Sequence, residues 1–237
     1  MNILATSGGF RLGKRTRFVP GPLIHYALRL AGSPARPRFC YVGTAVGDSP
    51  TYTTAVYEAF VGTDVAVSHL ALFPMPNLED MRAHLLAQHV VWVGGGSVAG
   101  LLAMWRLHGL DELMWEAWTA GVVLGGVSAG SLCWHVGGTT DSFGPELRPV
   151  TNGLGLLPYS NGVHYDSEEQ RRPLFHRLVG DGTLPAGYAT DDGVGLHYQG
   201  TELVEVVSDT PGKAAYYVEH SPQGTVTEHR IEPRMLE

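Results

Sequence analysis

A chain of 237 residues with 16 Lys and Arg against 23 Asp and Glu carries a formal net charge of −7, and its basic residues are scattered along the sequence. That pattern excludes the clustered basic patch on which nucleic-acid binding depends. With 44% hydrophobic and 16% charged residues the chain has the composition of an ordinary folded protein and is long enough for one sizeable core, so a single domain over 1–237 is expected.

Apolar runs such as Val90–Val93 and Val122–Leu124 fall far short of the roughly 20 residues needed to cross a bilayer, so no membrane association is expected. Met1–Ala5 begins directly as a short apolar segment without a basic and apolar leader, which predicts a cytoplasmic protein. Cys40 and Cys133 stand without any metal-ligand spacing and are expected as buried thiols. Neither a metal nor an organic cofactor is expected.

In chain order, Met1–Ala5 reads as a strand closed by Ser7-Gly8-Gly9, and Pro22–Ala31 as a helix ended by Gly32-Ser33-Pro34. Arg38–Val42 is the next strand, Tyr52–Phe60 a helix and Asp64–Leu72 a strand. Asn77–Asp80 supplies caps for a helix through Leu86. Val90–Val93 is a buried strand followed at once by Gly94-Gly95-Gly96, after which Ser97 caps a helix through Trp105. Leu113, Met114, Ala117 and Trp118 recur at helical spacing over Asp111–Ala120, and Val122–Gly125 returns to the sheet. Residues 139–162 are rich in Gly, Pro, Asn and Ser and read as a long functional loop. Gly193–Tyr198, Glu202–Val207, Ala214–Glu219 and Thr225–Ile231 then form a β-rich end. Strands separated by helices predict an α/β domain with a mainly parallel sheet, and such sheets bind ligands beyond the carboxyl ends of their strands.

At one such end stands Gly125-Gly126-Val127-Ser128-Ala129-Gly130, between an apolar strand and a helix-compatible segment. Glycines two residues either side of Ser128 remove the Cβ atoms that would clash in a sharp strand-to-helix turn, the arrangement of a nucleophile elbow. The Ala129 N–H opens the following helix, and Gly95 or Gly96 at the neighbouring strand end can direct a second N–H to the same oxyanion. A phosphate-binding loop is disfavoured at Gly94–Gly100 because neither G-K-[ST] nor a full G-x-G-x-x-G is present.

A serine hydroxyl needs a base, and the base needs an orienting acid. His164 follows the short apolar Leu154–Leu157 and falls in a turn near the sheet edge, whereas His135, two helical turns after Ser128, is about 10 Å along the axis and out of reach. Asp141, in the polar loop after the elbow helix, is the expected acid, with Glu146 as the competitor.

Val-Gly-Gly-Gly at 93–96, Gly-Gly-Val-Ser-Ala-Gly at 125–130, Thr-Thr-Asp-Ser at 139–142, Gly-Leu-Gly-Leu-Leu-Pro at 153–158 and His-Tyr-Asp at 164–166 together resemble the peptidase E and cyanophycinase family of serine peptidases, in order and in spacing. The resemblance runs from the first strand to about Leu196. It implies a three-layer α/β sandwich similar to class I glutamine amidotransferases, with serine in place of their cysteine. It gives Ser128 the nucleophile's role, His164 the base's, and Gly95 or Gly96 with Ala129 the oxyanion hole. The implied activity is cleavage of a short peptide through an acyl-enzyme. Action on a non-peptide ester or amide, and non-catalytic binding of a small molecule or peptide at the same edge, are the alternatives. Asp191 and Asp192 are expected to repel an acidic substrate side chain and to favour an amino terminus or a basic group, unless they form a solvated turn. Surface Trp and Leu residues leave room for a homo-oligomer.

Overall fold

The computed structural model describes residues 1–220 and 225–237. The chain opens with β1 (Asn2–Thr6), a hairpin of β2 (Phe10–Leu12) and β3 (Phe18–Pro20), and α1 (Pro22–Leu30). It continues through β4 (Arg38–Val42), α2 (Pro50–Ala59), β5 (Ala66–Leu70), α3 (Met81–Leu86), β6 (Val90–Val93), α4 (Val98–His108), α5 (Leu110–Thr119), β7 (Val123–Val127) and α6 (Ala129–Leu132). The remainder comprises β8 (His135–Thr140), β9 (Arg148–Val150), β10 (Leu157–Gly162), α7 (Arg171–Gly180), β11 (Gly187–Thr190), β12 (Val194–Gln199), β13 (Glu202–Ser208), β14 (Ala215–His220), β15 (Val226–Ile231) and β16 (Arg234–Met235).

An eight-stranded sheet in the order β16-β13-β12-β1-β7-β6-β4-β5 forms the centre, with β1, β7, β6, β4 and β5 parallel. β1, β4, β6 and β7 are buried at successive positions because both faces are covered. Ile3, Cys40, Val42, Val91, Val93 and Leu124 face a core shared with α4 and α5, while Leu4, Phe39, Tyr41, Val90, Trp92 and Val123 face one shared with α1 and α2. Helices on both faces of a mainly parallel sheet give the expected three-layer α/β sandwich. The predicted caps are in place: Asp80 accepts the Ala83 N–H at 2.8 Å, and the Ser97 hydroxyl accepts that of Gly100 at 3.1 Å.

The structure departs from the sequence expectation over 139–162. This segment supplies the end of β8 and all of β9 and β10, members of a second, six-stranded sheet ordered β15-β14-β11-β10-β8-β9. Gly and Pro read as loop signals here, yet the glycines serve close backbone packing: a Cβ on Gly138 would lie 2.0 Å from the Asn161 carbonyl oxygen. The β-rich end also divides. β12, β13 and β16 extend the central sheet, whereas β14 and β15 join the second. The β2–β3 hairpin was absent from the sequence expectation because three-residue strands carry too little periodicity.

The last strand is pinned electrostatically. Arg234 Nε donates to Glu205 at 2.6 Å and the Tyr26 hydroxyl donates to the same carboxylate at 2.6 Å, tying β16 and α1 to β13. The Arg234 guanidinium holds the Glu205 carboxyl at about 2, well below its ordinary value. A depressed carboxyl stabilises the fold above the unfolded-state value near 4.5 and loses that contribution as pH falls toward about 2. Glu205→Gln is therefore expected to lower stability by about 1 kcal/mol at pH 7. The gap from wild type should shrink progressively below pH 4.5, which thermal melts across an acid series would read out.

Candidate active site

β7 runs two residues beyond the expected Gly125, to Val127, and turns directly into α6 at Ser128. Ser128 has φ 57° and ψ −113°, a conformation few non-glycine residues adopt. The turn is this tight because β6 crowds it. A Cβ on Gly126 would lie 2.4 Å from the Gly130 carbonyl oxygen, and one on Gly130 would lie 2.2 Å from that of Val93. Both glycines of the G-x-S-x-G pattern are thus required by contact, and they let the elbow press against the end of the neighbouring strand.

The glycine run after β6 meets the serine. A Cβ on Gly95 would sit 3.2 Å from Ser128 Cβ and 3.8 Å from Oγ. Gly96, at φ 130°, has no room for one because the Ala45 carbonyl oxygen would be 2.4 Å away. The amides on either side are engaged, Gly94 with Val42 and Ser97 with Ala45. Those of Gly95, Gly96 and Ala129 donate to no protein acceptor among the described residues, which leaves N–H groups beside Ser128 free for an incoming oxygen.

Consecutive residues at the end of β1 hold the serine and the histidine. The Thr6 carbonyl accepts the Ser128 N–H at 3.1 Å, and the Ser7 hydroxyl accepts the His164 N–H at 3.1 Å. Ser7 is itself fixed by the Thr190 hydroxyl at 2.7 Å. His164 follows β10, also in a left-handed conformation with φ 52°. The Tyr165 N–H bonds the Thr190 carbonyl, which turns this segment toward the end of β11.

At that end stands the carboxylate the histidine meets. Asp192 Oδ1 lies 2.5 Å from His164 Nδ1. A carboxylate accepts, so Nδ1 carries the proton and Nε2 is left with its lone pair free. Asp192 is braced in turn, its N–H donating to Asp166 Oδ1 at 2.9 Å while Asp166 pairs with Lys213. Burial alone would raise the Asp166 carboxyl, but Lys213 and the Asp192 amide bring it below its ordinary value.

Asp141 and Glu146 are not the partners of His164. Asp141 sits in the turn after β8, which is drawn to α4 by the Ala99 N–H bonding Ser142 Oγ at 3.3 Å. The adjoining Thr139 carbonyl is covered by the Arg171 guanidinium, itself paired with Glu168. Asp141 lines a groove with Glu168 and Glu169, and Glu146 lines another with Glu169 and Arg177. Neither groove includes Ser128 or His164. Nor do Asp191 and Asp192 make a solvated acidic turn. Asp191 is buried, with Oδ2 accepting the Ala214 N–H at 3.0 Å and the Tyr216 hydroxyl at 3.3 Å, and burial raises its carboxyl above the ordinary value. The sequence signal for Asp192 was the short Gly187–Thr190 run, whose reading as a strand parallel to β10 would have delivered Asp192 to the His164 edge.

His135 is buried, its Nδ1 2.9 Å from the Ser131 carbonyl oxygen, and desolvation lowers it to about 4, so it is a neutral core residue at pH 7. A cavity of about 480 Å³ opens at the edge of the central sheet, walled by Phe10, Phe18, Tyr52 and Trp92 and bordered by Gly95, His164 and Asp192. That volume suits a small ligand. Among the described residues no group of His, Cys, Asp and Glu is arranged to hold a metal, and no helix is long and apolar enough to cross a membrane.

The family model for peptidase family S51 matches residues 3–206. The protein named Uncharacterized peptidase YgaJ, of Bacillus subtilis (strain 168), is 43% identical over 183 residues, which cover 77% of this chain and 78% of that protein. Peptidase E of Streptomyces coelicolor (strain ATCC BAA-471 / A3(2) / M145) is 31% identical over 169 residues, covering 70% of this chain and 64% of that protein. A crystal structure of a peptidase from an acI-B1 Actinobacterium superposes with a TM-score of 0.70 at 15% identity, covering 98% of this chain and 94% of that one. A putative peptidase E protein from Listeria monocytogenes EGD-e gives 0.55 at 16% identity, covering 98% of each chain. At these identities the two crystal structures speak for the fold alone.

Proposed function

We propose, for a chain that belongs to peptidase family S51 and is a serine-type peptidase, that it cleaves short peptides through an acyl-enzyme on Ser128. The observation that carries the reading is the 2.5 Å contact of His164 Nδ1 with Asp192, which leaves Nε2 as the acceptor, while consecutive residues Thr6 and Ser7 hold the serine and histidine backbones. Ser128 Oγ attacks the scissile carbonyl carbon as His164 Nε2 takes its proton. The carbonyl oxygen becomes an oxyanion received by the Ala129 N–H and that of Gly95 or Gly96. Collapse breaks the C–N bond, His164 returns the proton to the leaving amine, and water then hydrolyses the ester by the same route. Asp192 keeps the imidazole in its reactive tautomer and stabilises the imidazolium.

The cavity beside His164 has room for one or two residues of a short peptide. The buried free thiols of Cys40 and Cys133 fit a reducing compartment, and we place the reaction in the cytoplasm. A fluorophosphonate probe tests the nucleophile directly. One adduct per chain, mapped to Ser128 and lost in His164→Ala, is the expected result. Folded protein that takes no label would favour peptide binding without catalysis.

A further inference from the structure

We infer that the cavity next to His164 takes a large uncharged side chain, aromatic or aliphatic, of the residue adjoining the scissile bond, and that it rejects a carboxylate there. The inference rests on the Ser128 reading above and names the substrate class for it. The wall is built from Phe10, Phe18, Tyr52, Val56, Trp92 and Val127. Phe10 stacks on Phe18 with ring centroids 5.7 Å apart, and Phe18 lies 6.3 Å from Tyr52, so the β2–β3 hairpin and α2 present one continuous aromatic face. Trp92 and Val56 behind it are buried. Such a face gains by covering apolar surface and offers nothing to a charged group stripped of water.

The electrostatics agree with the shape. Among the described residues no Lys or Arg lines this cavity, and the acidic and imidazole side chains along it are Asp192 and His164. Burial raises the Tyr41 phenol above its ordinary value, so it stays uncharged. The one acidic side chain in the lining, Asp192, stands where a substrate carboxylate would enter and disfavours it by like-charge repulsion. Arg17 does not supply the missing cation. Its guanidinium stacks on Tyr52 at 4.7 Å and lines a separate groove with Pro50, Thr51 and Glu58. The repulsion expected of Asp191 and Asp192 together is thus narrowed to Asp192 alone, and the positive part of the selectivity comes from the aromatic wall.

The test is a panel of dipeptides and tetrapeptides carrying Phe, Leu, Ala, Asp or Lys on either side of one bond, assayed with the full chain, Tyr52→Lys and Tyr52→Phe. Tyr52 is half-buried on the cavity wall, and Tyr52→Phe, which keeps the ring in the wall, should keep the wild-type Phe-to-Asp ratio. For wild type, kcat/KM for Phe and Leu should exceed that for Asp at least tenfold on one side of the bond. Tyr52→Lys, which places a cation in the wall, should reduce that ratio at least tenfold. Preference for Asp in the wild type, or a Phe-to-Asp ratio unmoved by Tyr52→Lys, overturns the pocket assignment and leaves the Ser128 reading intact. No turnover anywhere in the panel overturns the Ser128 reading and this one with it.

Discussion

Ser128→Ala should lower kcat by about 10⁴- to 10⁶-fold while leaving the fold and its melting temperature close to wild type. The loss is large because the hydroxyl supplies the bond-forming atom, and the residual rate comes from free N–H groups and substrate positioning alone. The neighbouring substitution separates chemistry from architecture. At φ 57° and ψ −113°, Ser128 occupies a region that costs a non-glycine residue about 1–3 kcal/mol. Alanine inherits that strain in full. Glycine relieves it and gives back about 0.5–1 kcal/mol in chain entropy, so Ser128→Gly should be as inactive as Ser128→Ala and more stable by about 1 kcal/mol. At this chain length that is a rise of about 2–4 °C in Tm. Calorimetry on both variants beside a turnover assay provides the check. A glycine variant no more stable than the alanine one would mean the elbow carries no strain, and near wild-type hydrolysis by either would remove Ser128 from the chemistry.

The elbow at Ser128 was legible in the sequence because its glycine signature is local, although the strand that crowds it is not. Gly126 and Gly130 flank the serine at fixed offsets, and a turn that needs both can be recognised without knowing the rest of the fold. The central sheet was legible for a similar reason: Val90–Val93 and Arg38–Val42 are apolar on both faces and separated by helical periodicity. What escaped depends on strand neighbours far apart in sequence. Residues 139–162 looked like a loop because glycines that allow β8 and β10 to approach closely are the same residues that mark turns. The aromatic wall escaped as well, since Phe10, Phe18, Tyr52 and Trp92 come from a hairpin, a helix and a strand that no single period connects. Ser7 shows the limit most plainly. It bonds His164 across 157 positions, and it reads in the sequence only as part of a strand-ending turn.

The acid beside His164 is where this limit has the largest consequence for activity. Asp192→Asn should lower kcat by about 10³- to 10⁴-fold, because an amide that donates to Nδ1 would select the tautomer with the proton on Nε2 and would leave imidazolium without its counter-charge. Asp141→Asn and Glu146→Gln should each stay within about twofold of wild type, their side chains lying in grooves apart from His164. Asp166→Asn should fall between these extremes. Asp166 accepts the Asp192 N–H and pairs with Lys213 on its other oxygen, so it positions the acid and is a step removed from the imidazole. Probe labelling of Ser128 should follow the same order as kcat, since both need the proton taken by Nε2, whereas a merely structural loss would also lower the melting temperature. A loss in Asp141→Asn as deep as that in Asp192→Asn would contradict the geometry. The 2.5 Å contact would then be a resting-state pairing that substrate binding replaces.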